Sequence, residues 1–202
     1  MNWLNEPLLL GYLSTNRLEI LGFVTGAVCV YLNTRQNAWG WFFGIINALL
    51  FIVVFYNSKL YADTSLQVYY FVTSIYGWWA WRFGGTNRQK LEVSGLPASY
   101  WWPVLGIFLA ATCIWGFLLG RFTDASLSYA DSALTVASLV AQWMMARKYL
   151  QNWLIWIVAD ACYVAMYAYK TLYLTSALYL VFFVLAFYGY FSWKKQDLTN
   201  PA

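Results

Sequence analysis

The sequence predicts an all-α integral membrane protein with seven transmembrane helices in a 3+1+3 parallel-repeat arrangement. Three observations carry this reading. Charged residues make up 10% of the 202-residue chain and hydrophobic ones 62%, whereas a soluble domain carries roughly 25% charged residues. Several long stretches hold no charge at all and match the ~20 apolar residues that a spanning helix needs. Residues also recur at an offset of 112, as Leu60-Tyr61 and Leu172-Tyr173 do.

The elements follow in order. Residues 1–16 read as an N-terminal interfacial segment, with Trp3, Leu4, Leu8, Leu9 and Leu10 on a short helix broken near Pro7. This segment lacks the basic start and small-residue cleavage site of a signal peptide. The first span, 18–33, follows Arg17 and carries Glu19 at its edge. Spans two, three and four fall in the charge-free runs 36–58, 64–81 and 93–120. Span five, 126–146, holds one acid, Asp131; span six, 149–169, holds Asp160; span seven, 171–193, holds none. No run alternates apolar with polar residues, so helices are expected rather than a barrel.

The offset continues through Leu66/Leu178, Tyr76-Gly77/Tyr188-Gly189, Trp81/Trp193, Arg35/Arg147 and Trp41/Trp153. It divides the chain into a first three-helix repeat (17–83), a loop and linker helix (84–128), a second three-helix repeat (129–195) and a tail (196–202). One intervening crossing gives both repeats the same orientation, with the substrate site expected between them near the bilayer midplane. Arg17, Lys59, Arg121 and Lys170 lie on one side of the predicted membrane. Arg35, Arg82, Arg88, Lys90, Arg147, Lys148, Lys194 and Lys195 lie on the other. The more basic side is expected to be cytoplasmic, with the N-terminus outside and the C-terminus in the cytoplasm. The net charge of +4 then expresses topology rather than nucleic-acid binding.

Polar residues fall on helical stripes. In span six, Trp153, Trp156, Asp160, Tyr163 and Tyr167 share one face. A carboxylate at the bilayer centre costs at least ~2.5 kcal/mol, so it normally faces a cavity or a partner. No Lys or Arg lies at similar depth, so Asp160 is either protonated at rest or partnered by something that is not protein. Span five places Asp131, Thr135, Ser138 and Gln142 on one face; span three offers Gln67, Tyr70 and Ser74, and span two Asn47. Thr135, Ser138 and Ser74 read as interhelical hydrogen-bond glue, and Asp160, Gln67 and Asn47 as ligand-facing. Trp3, Trp101, Trp102 and Trp193 fit an interfacial belt, whereas Trp156 is too deep for one. Aromatic faces beside a carboxylate suit a small planar heteroaromatic cation. Cys29, Cys113 and Cys162 share no spacing pattern and read as packing residues. With no histidine and no nucleophile–base or metal constellation, neither an enzyme nor a cofactor or metal site is expected.

These residues resemble the PnuC family of vitamin transporters. The resemblance rests on Leu-Tyr-Ala-Asp-Thr-Ser-Leu-Gln-Val-Tyr-Tyr at 60–70, Tyr-Gly-Trp-Trp-Ala-Trp at 76–81 and Ala-Arg-Lys-Tyr-Leu-Gln-Asn-Trp-Leu-Ile-Trp at 146–156. It covers residues 17–195. It implies the three-plus-one-plus-three fold, a homotrimer, and uptake of nicotinamide riboside across a bacterial inner membrane by facilitated diffusion. A cytoplasmic kinase would trap the product without stable binding. Gln67, Trp153 and Trp156 match motif positions expected to bind substrate; Asn47 matches a Gly-x-x-Asn and Asp131 an aromatic-flanked acid. The expected substrate-binding set is Trp153, Trp156, Asp160, Gln67, Asn47, Tyr70, Asp131, Gln142 and Tyr163. The chain departs from nicotinamide riboside carriers at Gln151, where they tend to have Glu, and at Asp160, where they tend to have Asn. An aspartate suits cationic nicotinamide riboside or thiamine and suits neutral riboflavin poorly. A non-transporting sensor or scaffold is the alternative from another class.

Overall fold

A computed structural model describes residues 7–10, 13–57, 61–122, 128–169 and 173–197. Seven long helices occupy the apolar runs among the described residues: α1 Arg17–Thr34, α2 Trp39–Asn57, α3 Tyr61–Phe83, α4 Ala98–Phe122, α5 Ser128–Ala146, α6 Asn152–Tyr169 and α7 Tyr173–Asp197. By length and composition alone, α2, α4 and Ser176–Lys195 of α7 could cross a membrane. The other helices are diluted by polar and amphipathic residues that turn inward, among them Ser74, Ser132, Ser138 and Asp160.

The helices pack in two matching sets. α2 lies between α1 and α3, and α6 between α5 and α7. Across the sets, α1 meets α7 and α3 meets α5, while α4 packs on α5. The centre of this junction is a cluster of indoles at the basic end. Trp41 meets Trp81 edge-on at 5.3 Å, and Trp153 meets Trp193 edge-on at 5.3 Å. The Trp81 indole donates to the Met145 carbonyl at 3.1 Å, and the Trp193 indole to the Asn33 carbonyl at 3.1 Å. Each residue in the second bond stands 112 positions from its counterpart in the first. Close approach of the rings requires glycine beside them. A methyl on Gly77 would lie 2.5 Å from Trp41 Cε2, and one on Gly189 2.7 Å from Trp153 Cε2.

Helices α1 and α5 end alike. The Asn37 N–H reaches the Leu32 carbonyl and the Tyr149 N–H the Met144 carbonyl, both at 2.9 Å. Gln36 and Lys148 occupy the left-handed position of this C-cap (φ 53° and 55°), where glycine is usual. Their side chains meet: Lys148 Nζ donates to Gln36 Oε1 at 3.2 Å and to the Leu91 carbonyl at 2.8 Å. It also sits 4.8 Å from the Trp81 ring centre. Lys148 is only 5% exposed.

Residues 84–97 strap this end. A short 3₁₀ turn, Thr86–Arg88, reverses the chain after α3. The Ser94 N–H then donates to the Lys148 carbonyl (3.1 Å), the Leu150 N–H to the Ser94 carbonyl (2.9 Å), and the Leu96 N–H to Gln151 Oε1 (2.8 Å). The linker following the first three helices is thus bonded to the α5–α6 turn. For this reason α4 begins at Ala98, five residues into the run that predicted it.

Three expectations are corrected. The interfacial helix over 1–16 is replaced, where described, by two short antiparallel strands, Pro7–Leu10 and Leu13–Asn16. Pro7 suits the first position of a strand because it has no ladder donor to lose. Trp3 and Leu4 lie outside the described residues. Trp193 is fully buried in the indole cluster rather than placed in a belt, although Trp102, at 79% exposed, does face outward. Cys113 and Cys162 are exposed and Cys29 is half-buried, so only Cys29 is a packing residue.

Two measurements test this junction. Gly189→Ala should lower thermal stability by about 1–3 kcal/mol through overpacking against Trp153, and parental stability would show that the ring can slide away. Burial foremost, then the Lys90 charge, pulls the Lys148 ammonium from 10.5 to about 8, with Glu92 opposing. The folded protein therefore binds fewer protons than the unfolded chain between these values, and this group's contribution to stability rises with pH across that window. The melting temperature of the parent minus that of Lys148→Met should climb between about pH 7 and 10; a flat difference would refute the assignment.

Candidate functional site

Asp160 lies on α6, one turn after Trp156, and is 2% exposed. Among the described residues it has no cationic partner and no side-chain donor. Trp156 is half-buried against the indole cluster. Its ring forms no aromatic pair among the described residues, and its indole N–H is buried without an acceptor. One helical turn therefore presents a carboxylate and an unstacked indole on the same stripe.

Phenols surround the carboxylate. Tyr70 on α3, Tyr163 on α6 and Tyr179 on α7 all lie within electrostatic range of Asp160. The Ser138 hydroxyl on α5 faces the Tyr70 and Tyr163 phenols and donates its own proton to the Leu134 carbonyl at 2.9 Å. Tyr163 and Tyr167 stack at 6.0 Å and 22°, and Tyr179 lies 4.6 Å from Tyr163 and 5.2 Å from Tyr167. Side chains of α3, α6 and α7 thus gather near one acid, and α5 reaches two of the phenols through Ser138. A carboxylate, an unstacked indole and several ring faces can hold a flat cation, because desolvation strengthens both the charge and the cation–π terms.

The other expected residues divide. Asp131 lies half-buried at the start of α5, in electrostatic range of Tyr163. Gln67 on α3 and Gln142 on α5 are half-buried, and no contact ties them to Asp160. Asn47 instead joins α2 to α1: its amide donates to the Gly22 carbonyl at 2.6 Å and to Thr25 Oγ1 at 3.2 Å. Trp153 is 1% exposed, its face on Gly189 and its edge toward Trp193. Its counterpart Trp41 has the same surroundings, so the geometry of Trp153 is that of a packing residue. Tyr179 was not in the expected set. The 112 offset could have found it, since it pairs Tyr179 with Gln67.

The same offset separates scaffold from site. Trp41/Trp153, Gly77/Gly189 and Trp81/Trp193 are identical pairs in the junction. Around Asp160 identity fails: Asp160 stands opposite Ala48, Trp156 opposite Gly44, Tyr163 opposite Phe51 and Tyr167 opposite Phe55. Phe51 and Phe55 even stack as Tyr163 and Tyr167 do, at 5.5 Å and 23°. Ring placement is kept at Phe51/Tyr163 and Phe55/Tyr167, while the acid and these two hydroxyls occur only in the second half.

Known proteins share this chain's sequence and fold. The family described as nicotinamide mononucleotide transporter matches residues 16–195. The nicotinamide riboside transporter PnuC of Escherichia coli (strain K12) is 29% identical over 87% of this chain and 84% of its own length. PnuC of Neisseria mucosa is 26% identical over 88% of this chain and 72% of its own. The riboflavin/roseoflavin transporter RibM of Streptomyces davaonensis is 24% identical over 96% and 92%. The crystal structure of the vitamin B3 transporter PnuC superposes with a TM-score of 0.72 at 25% identity, covering 90% of this chain and 82% of that one.

The contacts of Asn47 predict that Asn47→Ala lowers stability by about 1 kcal/mol, since interhelical hydrogen bonds in membrane proteins average about 0.6 kcal/mol each. Thermal denaturation in detergent checks this. An unchanged melting temperature with lost ligand binding would move Asn47 from the α1–α2 seam to the ligand.

Proposed function

Since the chain belongs to the nicotinamide mononucleotide transporter family and is a multi-pass membrane transporter rather than an enzyme, we propose that its cargo is nicotinamide riboside. In this reading the small cationic heteroaromatic vitamin enters by facilitated diffusion, and a cytoplasmic kinase traps it by phosphorylation without stable binding. One observation carries the choice of a cation: Asp160 is buried with no cationic partner among the described residues. The pyridinium ring would supply the missing charge and lie on Trp156, with Tyr70 and Tyr163 beside it. Gln67, Gln142 and Asp131 complete the proposed binding set for the sugar hydroxyls and the approach; Asn47 supports it from the α1–α2 seam and Trp153 from the junction.

The finer architecture belongs to the same proposal. A 3+1+3 parallel arrangement is supported by the reciprocal indole bonds, the matching C-caps and the paired helix contacts. Eight of the twelve basic residues sit toward the Lys148 end, which supports a cytoplasmic C-terminus and an N-terminus outside. A homotrimer is proposed from the family resemblance. Thiamine is the second reading, because its thiazolium satisfies the same carboxylate. Riboflavin or roseoflavin, which the Streptomyces relative's name specifies, is neutral and offers Asp160 no opposite charge.

Calorimetry on the purified protein, with nicotinamide riboside, thiamine and riboflavin side by side, tests the cargo. Nicotinamide riboside should bind best, and Asp160→Asn should weaken it at least tenfold, or about 1.4 kcal/mol. Preferential thiamine binding would change the vitamin and keep the role of Asp160. Equal affinity of parent and Asp160→Asn would end the charge-complementarity reading.

A further inference from the structure

The last turn of α3 carries a cation that the transport reading does not use. Arg82 is exposed, and its guanidinium carbon lies 5.6 Å from the Trp78 ring centre and 6.0 Å from that of Trp39. Those indoles lie 5.7 Å apart, and Phe42 meets Trp78 edge-on at 5.7 Å. No carboxylate pairs with Arg82 among the described residues. A shallow, open groove of about 240 Å³ runs beside it, formed along α3 alone by Ile75, Trp78, Trp79, Arg82 and Phe83.

Ile75, Trp79 and Phe83 follow one another at four-residue spacing and are each about half exposed. They form one stripe below the guanidinium, about 12 Å long at 1.5 Å per residue. The opposite side of α3, with Ser74, Gly77 and Trp81, is the one buried in the junction. The groove therefore opens away from Asp160, where the surrounding solvent is lipid. Arginine offers a planar fork that matches phosphate oxygens, and holding it on aromatic rings reduces the freedom lost on binding. An unpaired guanidinium above an apolar stripe complements an anionic headgroup above an acyl chain.

The feature is duplicated. Lys194 Nζ lies 5.6 Å from the Tyr190 ring centre, and both residues stand 112 positions after Arg82 and Trp78. A cation on an aromatic ring thus occurs on both α3 and α7 at the same end, which fits a ligand surrounding the molecule. The α3 copy is the more specific one, with two indoles, a guanidinium and a groove.

We propose that Arg82, held by Trp78 and Trp39, and the Ile75–Trp79–Phe83 groove form a binding site for one anionic phospholipid, its phosphate on the guanidinium and an acyl chain in the groove. This inference does not rest on the identity of the vitamin. Native mass spectrometry and thermal unfolding of the purified full chain would test it, using phosphatidylglycerol and phosphatidylcholine with identical acyl chains. Phosphatidylglycerol should be retained preferentially and raise the melting temperature. Arg82→Gln should cut that preference at least fivefold, with Arg82→Lys intermediate and vitamin binding unchanged. Ile75→Trp, which fills the groove and keeps the charge, should also reduce occupancy, and it decides the matter if Arg82→Gln fails to fold. An undiminished preference in both variants would overturn the site. So would equal stabilisation by glycerol phosphate, which lacks acyl chains. Disulfide formation between copies through Trp79→Cys in native membranes would show that a second subunit covers the groove, and would likewise overturn it.

Discussion

Two reciprocal hydrogen bonds pin the centre of the junction between the halves of this molecule. Each runs from a buried indole at the end of a helix, Trp81 or Trp193, to a carbonyl in the last turn of a helix from the other half. A bond of this kind is strong where water is excluded, and breaking it would strand a buried donor. Much of the basic end is arranged around these bonds. Glycines at 77 and 189 let the supporting rings approach. The C-caps at Gln36 and Lys148 end α1 and α5 where the accepting carbonyls must lie. The strap of residues 84–97 then closes over the same point through Leu91, Ser94 and Leu96.

Rigidity at that end and chemistry beyond it are divided between two kinds of sequence. The indoles and close-packed glycines of the junction repeat unchanged at the 112 offset. The acid, the unpaired indole and the phenols occupy positions where the offset pairs them with Ala, Gly and Phe and, at Tyr179, with Gln. Keeping the ring positions while adding polarity on one side gives an asymmetric site on a scaffold of matched shape. The cost of burying Asp160 is then carried by one helix, packed between α5 and α7, rather than by both halves.

Much of this was legible from composition. Charge-free runs located the helices because few residues other than apolar ones can line a bilayer-facing surface. Asp160 stood out because nothing basic lies near it in the sequence. Other features depended on tertiary contacts. Lys148 reads as a surface loop lysine, and only the folded turn shows it covered by Trp81, Gln36 and Leu91. Asn47 reads as ligand-facing because its partners, a backbone carbonyl and Thr25, lie 22 and more residues away. Trp193 resembles a belt residue by its position near a span end, whereas its burial is fixed by Asn33, 160 residues earlier. The ribbon at Pro7–Asn16 was missed because a run of leucines suits helix and strand alike.

The uneven apolarity of the helices has a consequence for biogenesis. The translocon releases a segment into lipid according to that segment's own hydrophobicity, before later segments exist to cover its polar groups. Helices α2, α4 and α7 meet that demand unaided. The remaining four each adjoin one of these in the chain: α1 and α3 flank α2, α5 follows α4, and α6 precedes α7. Each of the four also packs against that same neighbour in the finished fold. α4, which has its packing partner only after α5 is made, is among the most apolar of the seven. The polar interior can thus be assembled pairwise: α3 and α5 follow a strong helix already made, and α1 and α6 gain one with the next segment, each keeping it as a neighbour.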